Sequence, residues 1–145
     1  MFKTEILTGL DIDAPEERVW AVLTDLGSYP EWNPMIRRAS GELKPGATLT
    51  LRFHPAGRKE KVYRPRLLAV EQNRELRWLG KPGVRGFLES QHYFFIENAA
   101  SGKTRLRHGM VFRGMLVPLL GRWLETSTRE PFEKMNRALK VRSEA

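Results

Sequence analysis

RGFLESQHYFFIENAASGKTRLRHGMVFRGMLVPLLGRWLETSTREPFEKMNRALKV, residues 85–141, decides the fold. Its first part alternates with period two. Arg85–Glu97 places Leu88, Ser90, His92, Phe94 and Ile96 on one strand face. Thr104–Arg113 places Leu106, His108, Met110 and Phe112 on one face, with Arg105, Arg107, Val111 and Arg113 opposite. The polar turn Asn98–Lys103 joins these runs as a hairpin. Counting across a turn near Ser101 sets His108 opposite Phe94 or His92. Gly114 breaks the pattern, and the period then changes. Across Val117–Val141 the residues Leu120, Trp123, Leu124, Ser127, Pro131, Met135 and Ala138 recur at three-and-four spacing, which predicts a long helix with one apolar stripe. Pro131 predicts a kink or a new segment, with a stop at Thr128–Arg129 as the alternative.

Upstream of the hairpin the chain reads as more strands. Phe2–Ile12 is a strand with Ile6, Leu10 and Ile12 on one side. Asp13 is a candidate cap for a helix that carries Pro15 in its first turn and Val19, Val22, Leu23 and Leu26 at helical spacing, ending near Asp25–Gly27. Two prolines bracket Tyr29-Pro30-Glu31-Trp32-Asn33-Pro34, so only a short helix or tight turn fits there. Strands follow at Met35–Gly41, Thr48–His54, Lys59–Val70 and Glu75–Leu79. The turn signals between them are Lys44-Pro45-Gly46, Pro55-Ala56-Gly57, Glu71–Arg74 and Lys81-Pro82-Gly83. Pro65 inside the Lys59–Val70 run implies a sheet edge or a bulge.

The order strand, helix pair, strands, long helix predicts one α+β domain over residues 1–145, with an antiparallel sheet covered by the long helix. No repeat or linker interrupts it. The chain holds no cysteine, which excludes disulfides, thiolate nucleophiles and zinc–sulfur sites. Neither a signal-peptide layout nor a bilayer-length apolar run occurs, so a cytoplasmic protein is expected. The 25 basic and 17 acidic residues give a net charge of +8. The basic residues stand singly or in pairs, as in Arg37-Arg38 and Arg58-Lys59, so nucleic acid is not the expected partner.

Several stretches resemble the START-like superfamily and, more narrowly, the SRPBCC group of polyketide cyclase/dehydrase and lipid-transport proteins. They are Ile12-Asp13-Ala14-Pro15-Glu16-Glu17-Arg18-Val19-Trp20, Tyr29-Pro30-Glu31-Trp32-Asn33-Pro34, Leu76-Arg77-Trp78, Thr104-Arg105-Leu106-Arg107-His108 and the closing helix. The resemblance spans Phe2 to Leu139. It implies a helix-grip fold, in which a curved antiparallel sheet of six or seven strands wraps a long C-terminal helix, with two short helices after the first strand. A cavity for lipids, sterols, polyketides, plant hormones or quinones is implied between sheet and helix. Some members are cyclases or dehydratases and some assist partner proteins. The motifs report fold and pocket, so no catalytic residue carries over. Trp32 is implied to fix the pocket entrance.

The candidate cavity-lining residues are Leu51, Phe53, Tyr63, Trp78, His92, Phe94, Leu106, His108, Met110, Leu120, Trp123 and Leu124. The competing reading is that they simply pack a core. His92 and His108 share the apolar faces of adjacent strands, where two imidazoles suit binding an acid or phenol, or shuttling a proton. With three histidines, and no carboxylate at ligand spacing, neither a metal nor a cofactor is expected. Gly-x-Ser-x-Gly and glycine-rich phosphate motifs are missing, and Glu89 and Glu97 fall on the opposite strand face. The leading expectation is binding or transport of a small hydrophobic ligand, with His92, His108, Trp78 or Tyr63 orienting its polar end. The alternatives are a cyclase or dehydratase using a cavity histidine as general acid or base, and a basic interaction module for an acidic partner, ribosome or membrane. The apolar stretch Met115–Gly121 would serve a transient membrane contact. Nothing in the sequence sets the oligomeric state.

Overall fold

The computed structural model describes residues 2–54, 59–81 and 87–145. The turns expected at Pro55-Ala56-Gly57 and Pro82-Gly83, and the start of the run at Arg85, lie outside the described residues. The elements are β1 (Lys3–Ile12), α1 (Glu16–Thr24), a 3-10 turn (Leu26–Ser28), α2 (Tyr29–Trp32), β2 (Ile36–Ser40), β3 (Thr50–Phe53), β4 (Lys61–Tyr63), β5 (Arg66–Glu71), β6 (Glu75–Gly80), β7 (Glu89–Asn98), β8 (Thr104–Arg113) and α3 (Val117–Glu144).

The strands pair in the orders β1-β8-β7-β6-β5 and β2-β3-β4, antiparallel throughout. Pro65 divides the single run expected over Lys59–Val70 into β4 and β5, because proline has no N–H to give a neighbouring strand. Its carbonyl still pairs, accepting from the Leu49 N–H at 2.9 Å, while the Leu67 N–H donates to Ala47 at 2.8 Å. Thr48 and Arg66 bridge alongside. The two sets of strands therefore join across residues 47–49 and 65–67. The result is one curved antiparallel surface gripping α3, the helix-grip arrangement expected from the sequence.

The β7–β8 hairpin follows the alternation read from the sequence. Phe94 pairs with His108 and His92 with Met110, while Ser101 supplies a left-handed turn residue at φ 64°. Leu88, Ser90, His92, Phe94 and Ile96 are all buried. Two local readings need correction. The cap of α1 is Pro15, with no side-chain capping bond, rather than Asp13. Asp13 has another task, as its backbone N–H donates to Glu144 Oε2 at 2.7 Å and ties the end of α3 to the start of α1. Helix α3 also runs through Pro131 as one element, so neither the new segment nor the stop at Thr128–Arg129 forms. Side chains buried on both sides of the proline, Leu124 and Thr128 before it, Phe132 and Met135 after it, hold the helix against β1 and β8 across the missing hydrogen bond.

The buried stripe of α3 is Val117, Leu124, Thr128, Phe132, Met135, Asn136, Leu139 and Ser143. It is rotated from the stripe read from sequence, which took Trp123 and Ser127 as inward; both are exposed. Neighbouring helical residues point about 100° apart, so packing Leu124 inward turns Trp123 outward.

Candidate functional site

The inward faces of β1, β7, β8 and α3 repeat one sequence of layers. Near one end they supply Ile12, Ile96, Leu106 and Met135 to an apolar cluster that also holds Trp78 and Phe94. Near the other they supply Ile6, Leu88, Phe112 and Leu124 to a second, smaller cluster. Between the two clusters the same faces carry polar side chains: Thr8, Ser90, His92, His108, Thr128 and Asn136, all buried. The core thus has two apolar ends and a polar waist.

Four of these side chains, Thr8, His92, His108 and Asn136, form a connected network. Asn136 Nδ2 donates to Thr8 Oγ1 at 2.8 Å, and the Thr8 hydroxyl donates to the His108 carbonyl at 2.6 Å. This orientation leaves Asn136 Oδ1 as an acceptor, 2.7 Å from His108 Nδ1, so the Nδ1 of His108 carries a proton. A neutral His108 then presents a lone pair at Nε2. His92 Nε2 lies 2.6 Å away and fills the donor role.

Aromatic rings enclose the pair. His108 is sandwiched between Phe132, at a centroid distance of 3.9 Å and 6°, and Phe94, at 4.1 Å and 18°. His92 stacks on Phe132 at 4.7 Å and meets Trp78 at 4.5 Å. This dry setting penalises the charged imidazolium. Burial pushes the His92 imidazole well below its ordinary value, helped by the neighbouring His108. Burial also pushes His108 down to about 3, against the pull of its hydrogen bonds to the Asn136 side chain and the Phe132 backbone. Both rings are therefore neutral at pH 7. Two neutral imidazoles thus stand in direct Nε2–H···Nε2 contact, with the His108 Nδ1–H donated to Asn136 Oδ1.

The structure brings some of the sequence-predicted residues together and separates others. Trp78, Phe94, Leu106 and Leu51 sit in the first cluster, with Phe53 packed at its margin. Leu124 belongs to the second cluster, and Met110 and Leu120 pack on it half-buried. Two candidates are exposed instead. Tyr63 is 40% exposed because β4 is the edge strand of its set; it shares the face of its register partner Leu51 and meets Phe53 edge-on at 5.2 Å. Trp123 is 57% exposed, for the helical-phase reason given above. Trp32 packs edge-on against Tyr29 at 5.3 Å and lines a recess of about 390 Å³ with Arg18, Ser28 and Arg142. That recess lies between α1, α2 and the end of α3. A second, shallower one of about 410 Å³ lies on β1 and β8 along Leu7–Asp11 and Arg105–Arg107. Between sheet and α3, the predicted lining residues are packed against one another.

Sequence reasoning missed Thr8, Phe132 and Asn136, which complete the waist. Each carried a periodic signal. Phe132 and Asn136 continue the four-residue step from Leu124 and Thr128, and Thr8 stands between Ile6 and Leu10 in period two.

Comparison with known proteins places the fold. The solved structure of a START superfamily protein from Mycobacterium smegmatis superposes with a TM-score of 0.77 at 21% identity, over 97% of each chain. The Zhui aromatase/cyclase from a Streptomyces species superposes at 0.78 with 15% identity, over 99% of this chain and 94% of that one. Norcoclaurine synthase from Thalictrum flavum superposes at 0.72 with 13% identity, over 97% and 86%. At such identities the likeness is one of fold. No curated protein sequence matches. The model of one family, described as polyketide cyclase / dehydrase and lipid transport, matches residues 4–144, and the chain belongs to that family.

Proposed function

We propose that this domain binds a small apolar molecule carrying one hydroxyl or carbonyl group, of the lipid, polyketide or quinone kind. The skeleton would lie among the second-cluster side chains and the polar group would reach His92. The observation that carries this reading is the polar waist, a hydrogen-bonded set of buried groups placed where two apolar halves of the core meet. Buried polar groups need partners, and a core built only for stability is served more simply by apolar ones. Met110, Leu116 and Leu120, half-buried beside the second cluster, have the least packing to lose when they move aside. Each methylene a ligand buries there contributes about 0.8 kcal/mol.

A specific observation also favours a second reading. The contact between two neutral imidazoles suits general acid–base chemistry, such as a cyclisation or dehydration. The test is native mass spectrometry of the protein purified from its own host, followed by organic extraction. One co-purifying apolar compound in near-stoichiometric amount is expected. Protein that is empty from its host and takes up no apolar probe refutes the binding reading. His92→Asn separates the two readings, since a carrier loses at most the one hydrogen bond to the ligand's polar group and still binds, while turnover collapses in an enzyme.

A further inference from the structure

Three chain segments meet where β8 turns into α3. The Gly114 N–H donates to the Phe2 carbonyl at 3.0 Å, and the Leu116 N–H donates to the Phe87 carbonyl at 3.2 Å. This junction gathers large apolar side chains in solvent: Phe2 is 54% exposed, Phe87 44%, Met115 68%, Leu119 80% and Trp123 57%. Leu119 and Trp123 are four residues apart and share the outer face of α3, and Met115 precedes them by the same step. At about 200 Å² per large side chain, these exposed shares leave roughly 600 Å² of apolar surface, the top of the range for a soluble monomer.

Cations frame the patch. Arg122 is exposed on the same stretch of α3, and the exposed Lys3 and Arg113 are register partners where β1 and β8 end beside it. The nearby acids are Glu5, two residues along β1 from Lys3 and bonded by the Tyr93 hydroxyl, Glu89, the partner of Arg113 in β7, and Glu125, which is paired with Arg129 one turn further along the helix. The whole chain carries +8. A second copy would bring the same positive charge to this face, whereas an anionic surface complements it. Exposed Leu and Trp on one helix face with arginine beside them is the chemistry of an element lying in a lipid interface. Among the described residues no helix is long and apolar enough to cross a membrane, so the contact is peripheral.

We propose that the β8–α3 corner docks on bilayers containing anionic phospholipid, with Leu119 and Trp123 inserted among the acyl chains and Arg122 at the level of the phosphates. The docking needs no ligand in the core, so it stands or falls separately from the binding reading above.

The experiment is co-sedimentation of the full chain with phosphatidylcholine vesicles, with and without phosphatidylglycerol, together with tryptophan fluorescence. Of the four tryptophans Trp123 is the most exposed; Trp20 and Trp78 are buried and Trp32 is half-buried. Binding to the phosphatidylglycerol vesicles with a blue shift is expected, and the Trp123→Phe variant should bind while losing the shift. Leu119→Ser combined with Trp123→Ser, both at exposed positions, should lower vesicle partitioning on the order of tenfold while circular dichroism stays unchanged. Absence of vesicle binding overturns the proposal. So does binding that survives the double serine variant, which would place the contact on another basic face. A concentration-dependent dimer in ultracentrifugation that the same variant abolishes, without vesicle binding, would assign the patch to a second copy and overturn it as well.

Discussion

Acidifying this protein from pH 7 to pH 5 should cost it a large part of its stability, and the histidine pair sets the amount. In the unfolded chain both rings titrate near 6.5. In the fold His108 is held down to about 3 and His92 well below its ordinary value. Between those values the unfolded chain takes up protons that the fold refuses. Stability is therefore complete above about pH 6.5 and falls as the pH drops toward the folded values. At pH 5 each neutral ring costs about 2 kcal/mol relative to pH 7, so the pair costs about 4 kcal/mol. One proton held between the two Nε2 atoms would limit the loss to about 2 kcal/mol. With a urea slope of roughly 2 kcal/mol per molar, the unfolding midpoint should fall by about 1 to 2 M. The carboxylates with lowered values, Asp11 and Glu144, titrate beneath their ordinary 3.8 and 4.5, outside this window. His92→Gln should remove about half of the pH 7 to 5 loss, and a variant lacking both imidazoles should remove nearly all of it. A midpoint that is the same at pH 7 and pH 5 would refute the reasoning, as would an undiminished loss in the double variant.

Other substitutions probe the same network and its supports. Asn136→Leu leaves the His108 Nδ1–H without its side-chain acceptor and should cost about 1–3 kcal/mol in urea unfolding at pH 7. Asn136→Asp sets a carboxylate at hydrogen-bond distance from His108, which raises the folded value of the ring. The variant should lose less stability than the parent on going from pH 7 to pH 5. Phe132→Ala empties one side of the His108 sandwich and should cost about 3–5 kcal/mol by thermal or urea unfolding. Gly114 has φ 134°, and a Cβ there would collide with the Phe87 backbone, so Gly114→Ala should cost about 1–3 kcal/mol and loosen the β8–α3 corner in hydrogen exchange.

Part of this could be read from the chain because the information is local. A period of two forces side chains to alternate, so Leu106, His108, Met110 and Phe112 had to share a face, and a short turn set Phe94 against His108. The prolines around Trp32 left room only for a short helix, and α2 is one. The motif resemblance then supplied the way in which sheet and helix combine. The rotation of α3 was not local. Apolar residues occur on several of its faces, and only docking against β1 and β8 selects Leu124 and Phe132 as inward and turns Trp123 outward. Likewise, Pro65 marked an interruption, but the Leu49 and Ala47 backbone groups that bridge it come from another strand.

The sequence by itself determined the element order, the antiparallel hairpin and the presence of two histidines on one apolar surface, because each follows from spacing over a few residues. Only the tertiary structure decided what surrounds those histidines. Asn136 and Thr8 are separated by 128 positions, and no periodicity links them; they meet because α3 lies across β1. That crossing gives His108 its tautomer and its neutral state, since hydrogen bonds and desolvation depend on distances in space rather than along the chain.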